Sequence, residues 1–214
     1  INFSVPTGNF GDVYAGYLAK KIGLPVNRFV VATNQNDILQ RAISKGIYEV
    51  KKVSETISPS MDIQIASNFE RLIYDLNDCN DEKTIEAMMK IKKNGKYTIS
   101  QENLNKIKID FLSSRMDEKE VLKTIKDVFE RFKIVLDPHT AIGYGAFDKV
   151  DLDGNNIVLA TAHPSKFPAA IEKAIDLKAE LPDELRFVLD EKENYDIIEN
   201  NLDKIKQHIK ERIK

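Results

Sequence analysis

The chain opens on a pattern that few folds accommodate. An apolar run, Ile1-Asn2-Phe3-Ser4-Val5, leads into a glycine-bearing turn, Pro6-Thr7-Gly8-Asn9-Phe10-Gly11. A helical stripe of Val13, Tyr14, Tyr17, Leu18 and Ile22 follows, and Gly23 with Pro25 ends it. Residues 28–32 form a second, β-branched apolar run. Asn34 or Asn36 is then expected to cap a helix through Ile38, Leu39, Ala42 and Ile43, closed by Gly46. Strands alternating with helices at these distances predict an α/β fold, a parallel sheet flanked by helices. A first strand this apolar needs neighbours on both sides, so the sequence is expected to begin inside a fold.

The middle of the chain reads as more helical. Ser58-Pro59-Ser60 is a helix start, with Ile65, Phe69, Leu72, Ile73 and Leu76 repeating behind it. Residues 81–93 predict a polar helix that stops at Asn94-Gly95. Ile107, Ile109 and Phe111 alternate like a half-exposed strand. Asp117 and Glu120 have the spacing of a capping box, opening a helix through Val121, Ile125, Val128 and Phe132. Residues 78–105 are polar and weakly periodic, which marks them as a helical, peripheral insertion. The last third returns to α/β. It holds strand-like residues 133–136, a short helix over 139–147, an apolar strand at 157–160, a helix over 168–178 and a charged terminal helix over 195–214.

Composition narrows the function classes. A net charge of -2 over 214 residues argues against a nucleic-acid binder, which usually carries a basic stripe. No apolar run approaches the roughly 18 residues of a membrane span, and no secretory signal is visible. One cysteine, Cys79, permits no internal disulfide, which fits a reducing, cytoplasmic setting. One Cys and three His offer no metal pattern.

The turn after the first strand is the leading candidate site. Between a strand and a helix, glycines let backbone approach a ligand, and free N–H groups with the helix dipole favour an anion. The spacing is neither a Walker loop nor a dinucleotide fingerprint. A plain strand-to-helix turn satisfies it too, and Asp12 would repel an anion unless its side chain points away.

Val5-Pro6-Thr7-Gly8-Asn9-Phe10-Gly11-Asp12 closely resembles the cofactor-phosphate loop of threonine synthases of the bacterial and fungal type. The resemblance continues through Ala32-Thr33-Asn34-Gln35-Asn36-Asp37-Ile38-Leu39, Ser58-Pro59-Ser60-Met61-Asp62-Ile63-Gln64 and Ser67-Asn68-Phe69-Glu70-Arg71. It resumes in Asp137-Pro138-His139-Thr140-Ala141-Ile142-Gly143 and Thr161-Ala162-His163-Pro164-Ser165-Lys166-Phe167, in matching order. Residues 78–105 and those beyond 180 match least.

The resemblance implies a fold similar to the tryptophan synthase β-subunit, with residues 1–214 as the carboxy-terminal part of its large, pyridoxal-phosphate (PLP)-binding region. It implies conversion of O-phospho-L-homoserine and water to L-threonine and phosphate. It also implies that the Schiff-base lysine lies upstream of the glycine loop, so that these residues alone are inactive. The cofactor contacts it implies are Gly8, Asn9, Phe10 and Gly11 for the phosphate and Thr161 for the pyridine nitrogen. Lys166 does not match the cofactor lysine. The implied partner is the small-molecule substrate, with neither nucleic acid nor membrane, and self-association is expected through surface left by the missing half. Another PLP-dependent lyase or dehydratase of the same fold, or a non-catalytic anion-binding module, are the alternatives.

Several residues have competing readings. Thr161 suits a cap of the next turn, His163 reads as a hydrogen-bonded structural residue more readily than a catalyst, and Ser58 and Ser60 suit caps or pocket walls together with Asp62. Asp137-Pro138-His139-Thr140 reads mainly as a helix start, with His139 a candidate for site contact. Arg71 suits an ion pair as well as a ligand contact. Cys79, between Asp78 and Asp81, is read as a bystander.

Overall fold

The apolar runs assemble into one parallel sheet in a computed structural model, which describes residues 1–213. Strands β1 (Asn2–Pro6) and β2 (Arg28–Thr33) pair in parallel with Phe3 opposite Phe29. Further along come β3 (Ile47–Glu49), β4 (Lys96–Thr98), β5 (Phe111–Arg115) and β6 (Asn156–Val158). The main sheet has the order β5-β2-β1-β6, and β3 and β4 form a separate antiparallel pair. β1 therefore has a partner on each side, as its apolar character predicts.

Helices cover both faces of the sheet. In chain order the helices of the described residues are α1 (Gly11–Lys21), α2 (Ile38–Lys45), α3 (Phe69–Leu76), α4 (Asp81–Asn94), α5 (Gln101–Asp110), α6 (Glu118–Phe132), α7 (Pro138–Phe147) and α8 (Pro168–Ile175), with α9 (Leu202–Arg212) in a separate unit. Alternation along β2 divides the interior: Phe29 and Val31 face a core with Phe10, Phe69 and Phe111, while Val30 and Ala32 face one with Met116, Ile125 and Ile142. Residues 1–179 form one compact unit and residues 180–213 fall in a second.

Strand order creates the position of interest. The chain runs from β1 to β2 and outward to β5, then returns to place β6 on the far side of β1. That reversal is a topological switch point, and the crevice beyond the strands' carboxyl ends is where open α/β sheets bind ligands.

Some expectations are corrected. Ile107 and Ile109 lie in α5, and the strand begins only at Phe111. Leu104 and Ile107 are the buried face, three apart, while Ile109 points outward, so the apparent alternation was one side of a helix. Residues 133–136 are loop, because Lys133 ends α6 with φ 60°. Residues 59–61 are a single 3-10 turn, and the helix expected there begins at Phe69. Asp37, not Asn34 or Asn36, precedes α2, and it pairs with Arg41 at 2.9 Å. Residues 78–105 supply Ala87, Ile99 and Leu104 to the first core. The terminal helix starts at Leu202, so residues 195–201 precede it; Lys214 lies outside the described residues.

The capping box holds. Glu120 N donates to Asp117 Oδ1 at 2.9 Å, and Asp117 N donates to Glu120 Oε2 at 2.7 Å. Gly46 and Gly95 close α2 and α4 in the left-handed region, as their positions predict.

Candidate functional site

The turn between β1 and α1 is built by sterics and one hydroxyl. Phe10 sits at φ 65°, and its amide donates to Thr7 Oγ1 at 2.9 Å. The Phe10 ring is fully buried, edge-on to Phe69 at 5.2 Å, so the core itself pins the turn. Gly8 is required by close approach: a Cβ there would stand 2.9 Å from Met61 Cα and 3.1 Å from the Ser60 carbonyl oxygen. Asn9 Oδ1 accepts from Ser67 N at 2.6 Å and Ser67 Oγ at 2.8 Å, tying the loop to the segment before α3.

α1 begins with no side-chain cap. Among the described residues, the amides of Gly8, Asn9, Gly11 and Asp12 meet no acceptor. An uncapped helix start leaves its first N–H groups without intrahelical acceptors, the arrangement that anions favour.

The opposing wall comes from the far end of the chain. Gly8, Asn9, Gly11 and Asp12 share a cleft of about 270 Å³ with Ser60, Met61, Asn68, His139, Thr161 and Lys166. Thr161 follows β6 and is exposed, with its hydroxyl free of hydrogen bonds to the described residues. Phe10 does not line the cleft.

A buried polar network fixes the wall that carries Ser60 and Met61. Asp62 Oδ1 accepts from Asn34 Nδ2 at 2.7 Å, Asn36 Nδ2 at 2.9 Å and Thr56 Oγ1 at 2.7 Å. Ser58 Oγ accepts from Asn34 Nδ2 at 2.9 Å, so this serine joins the network and caps no helix. These bonds fasten an irregular segment to the carboxyl end of β2.

The start of α7 is closed where that of α1 is open. Asp137, buried, accepts from His139 N at 2.9 Å, from Thr140 N at 3.3 Å and from the Thr140 hydroxyl. His139 Nδ1 lies 3.0 Å from Asp137 Oδ1. Burial pushes the Asp137 carboxyl up, but the hydrogen bonds from His139 and Thr140 outweigh it and hold the group below the usual carboxylate range.

Other candidates fall elsewhere. His163 is not in the cleft; it caps the following 3-10 turn, accepting from Ser165 N at 3.2 Å. Lys166 lines the cleft and makes no ion pair with the described residues. Arg71 lies 6.0 Å over the Tyr14 ring and borders a larger cleft of about 620 Å³ with Tyr74 and Asp81. Cys79 is exposed on the turn after α3. Sequence reading missed Asn68 and Phe167 as lining residues, although both lie inside matching blocks.

Residues 140–209 match the family model described as threonine synthase, C-terminal. Threonine synthase from Pseudomonas aeruginosa is 40% identical over 98% of the chain, and that from Saccharomyces cerevisiae 38% identical over all of it. The chain is similar to threonine synthases along nearly its whole length. It spans about half the length of the curated relatives it matches, 45% and 47% of these two. A crystal structure of PLP-bound threonine synthase from Brucella melitensis superposes with a TM-score of 0.92 at 40% identity, covering 99% of this chain and 46% of that one. The yeast threonine synthase structure gives 0.86 at 37% identity, over 99% of this chain and 47% of that one. The sheet flanked by helices is thus the fold of these threonine synthases. Among the described residues no helix is long and apolar enough to cross a membrane, and no cluster of side chains is placed to hold a metal ion.

Proposed function

We propose that the cleft holds PLP and that the polypeptide carrying it converts O-phospho-L-homoserine and water to L-threonine and phosphate. One observation carries this reading: the glycine turn and Thr161, about 150 residues apart, line one cleft at the switch point of the sheet. The amides of Gly8, Asn9 and Gly11 grip the cofactor phosphate, helped by the α1 dipole. Phe10 contributes by holding the turn, since its own amide is committed to Thr7. The free hydroxyl of Thr161 donates to the pyridine nitrogen. Bound PLP supplies an electron sink for carbanion chemistry. A hydroxyl leaves the ring nitrogen neutral where a carboxylate would favour its protonated form, so Thr161 moderates that sink.

The Schiff-base lysine belongs to the part of the family that precedes the glycine loop, and residues 1–214 alone are accordingly inactive. The partner is a small molecule, and a cytoplasmic location accompanies the reaction. Self-association through apolar surface remains part of the same proposal.

The test is Thr161→Asp in the full-length protein. Turnover should fall by at least about 100-fold, on the order of an electrostatic contact to the reacting system, while PLP still binds. Unchanged turnover would remove Thr161 from the ring nitrogen.

A further inference from the structure

We infer that His139 is a ligand-contacting residue of this cleft, and that a phosphate monoester binds there together with one proton carried on His139 Nε2. The inference rests on the reading of the cleft as a PLP site and adds to it one contacting residue and one proton.

The ring is held from behind. Asp137 is an acceptor-only carboxylate when ionised, so its contact at 3.0 Å places a proton on His139 Nδ1. Depression of the Asp137 carboxyl below the usual range keeps it ionised. Phe167 packs on the imidazole at 4.7 Å between centroids and fixes its tilt. His139 is only 4% exposed, yet Nε2 has no hydrogen-bond partner. Unpaired buried nitrogens are uncommon because each forfeits its hydration without replacement. With Nδ1 turned to Asp137, Nε2 is the buried nitrogen left without a partner, on a side chain that lines the cleft together with Phe167.

Charge balance specifies what meets it. The ionisable side chains that line the cleft or bond to the ring are Asp12, Lys166 and Asp137, besides His139 itself. Their formal charges sum to one negative before any ligand arrives. The free loop amides and the α1 dipole offset part of the repulsion between a phosphate dianion and that charge, and a positive charge beside the phosphate offsets the rest. Histidine is the side-chain type that gains a proton near neutral pH. A proton from solvent added at Nε2 gives an imidazolium that donates to a phosphate oxygen on one side and to Asp137 on the other. The one bond made is N–H at Nε2, with the proton drawn from solvent, and no bond of the phosphate ester changes.

The test uses full-length protein and pyridoxine 5'-phosphate, which has the ring and phosphate but no aldehyde to form an imine. Calorimetric titrations near neutral pH, in two buffers of different ionisation enthalpy, count protons taken up on binding. Nitrogen NMR of the His139 ring reads each nitrogen directly in the wild type. We expect uptake on binding that is absent in His139→Gln, with affinity about tenfold lower in that variant, the scale of one charge-assisted hydrogen bond. The Nε2 resonance should move to the protonated position while Nδ1 stays. Equal uptake in the two proteins, or an unmoved Nε2 with ligand bound, overturns this inference alone. Failure of the wild type to bind overturns it together with the PLP reading.

Discussion

Two helices point their amino ends at the same cleft, and they treat their free N–H groups in opposite ways. α1 follows a glycine turn and has no side-chain cap, so its first amides stay available. α7 follows Asp137, whose carboxylate takes up the amides of His139 and Thr140 and the imidazole besides. The same backbone ending is left open in one case and closed into a bracket in the other. What decides is a single position: a core-anchored Phe10 in left-handed conformation against an aspartate in extended conformation. An open end offers donors to a ligand, while a closed one fixes a side chain that faces it.

Removing the bracket should have the largest effect. Asp137→Ala strips the α7 cap and strands the buried Thr140 hydroxyl and His139 Nδ1–H, which should lower stability by about 3 kcal/mol in urea unfolding. The same variant should show a flatter acid limb. The folded-state carboxyl is held below its unfolded value, so its contribution is complete above about pH 4 and drains away as the pH falls through the depressed folded value. A variant as stable as the parent, with an unchanged acid limb, would erase the contrast between the two helices.

Displacing the open end should weaken binding and leave most of the fold intact. In Gly8→Val the added atoms collide with Met61 and Ser60, and the loop must shift to relieve them. PLP affinity in the full-length protein should fall about 100-fold, the scale of one or two lost hydrogen bonds to a charged phosphate. Equilibrium dialysis measures it, and parental affinity would show that the loop amides are not the phosphate contacts.

A third helix start sharpens the comparison. α6 is closed by a reciprocal capping box but lies outside the cleft. Asp117→Ala should cost about 1 kcal/mol of stability and leave PLP affinity unchanged. A drop in affinity would mean that capping acts on the cleft through the whole fold and not locally.

The sequence was legible where neighbours along the chain decide structure. The glycine turn, the Asp117–Glu120 box and the closing residues Gly46 and Gly95 all depend on local spacing, and all appear where expected. It was illegible where distant groups compete for the same atoms. Asn34 and Asn36 have the composition of caps, but Asp62, 28 and 26 residues later, claims both amides. Ile107 and Ile109 alternate like a strand because two residues of spacing cannot separate a strand from part of a helical turn. Thr161 drew attention only through family likeness, since an exposed threonine after a short strand has no spacing signature. The orphaned Nε2 of His139 is invisible in one dimension, because an unpaired atom is defined by what fails to surround it.

The position of the cleft between β1 and β6 has a thermodynamic corollary. Its two walls become neighbours only once the chain has doubled back across the sheet, so a half-folded chain has nothing to offer an anion. Any molecule that settles there acts as a clamp on the finished sheet, adding about 2.7 kcal/mol of resistance to unfolding at a free concentration one hundred times its dissociation constant. Occupancy and completion of the fold are thereby two readings of one equilibrium.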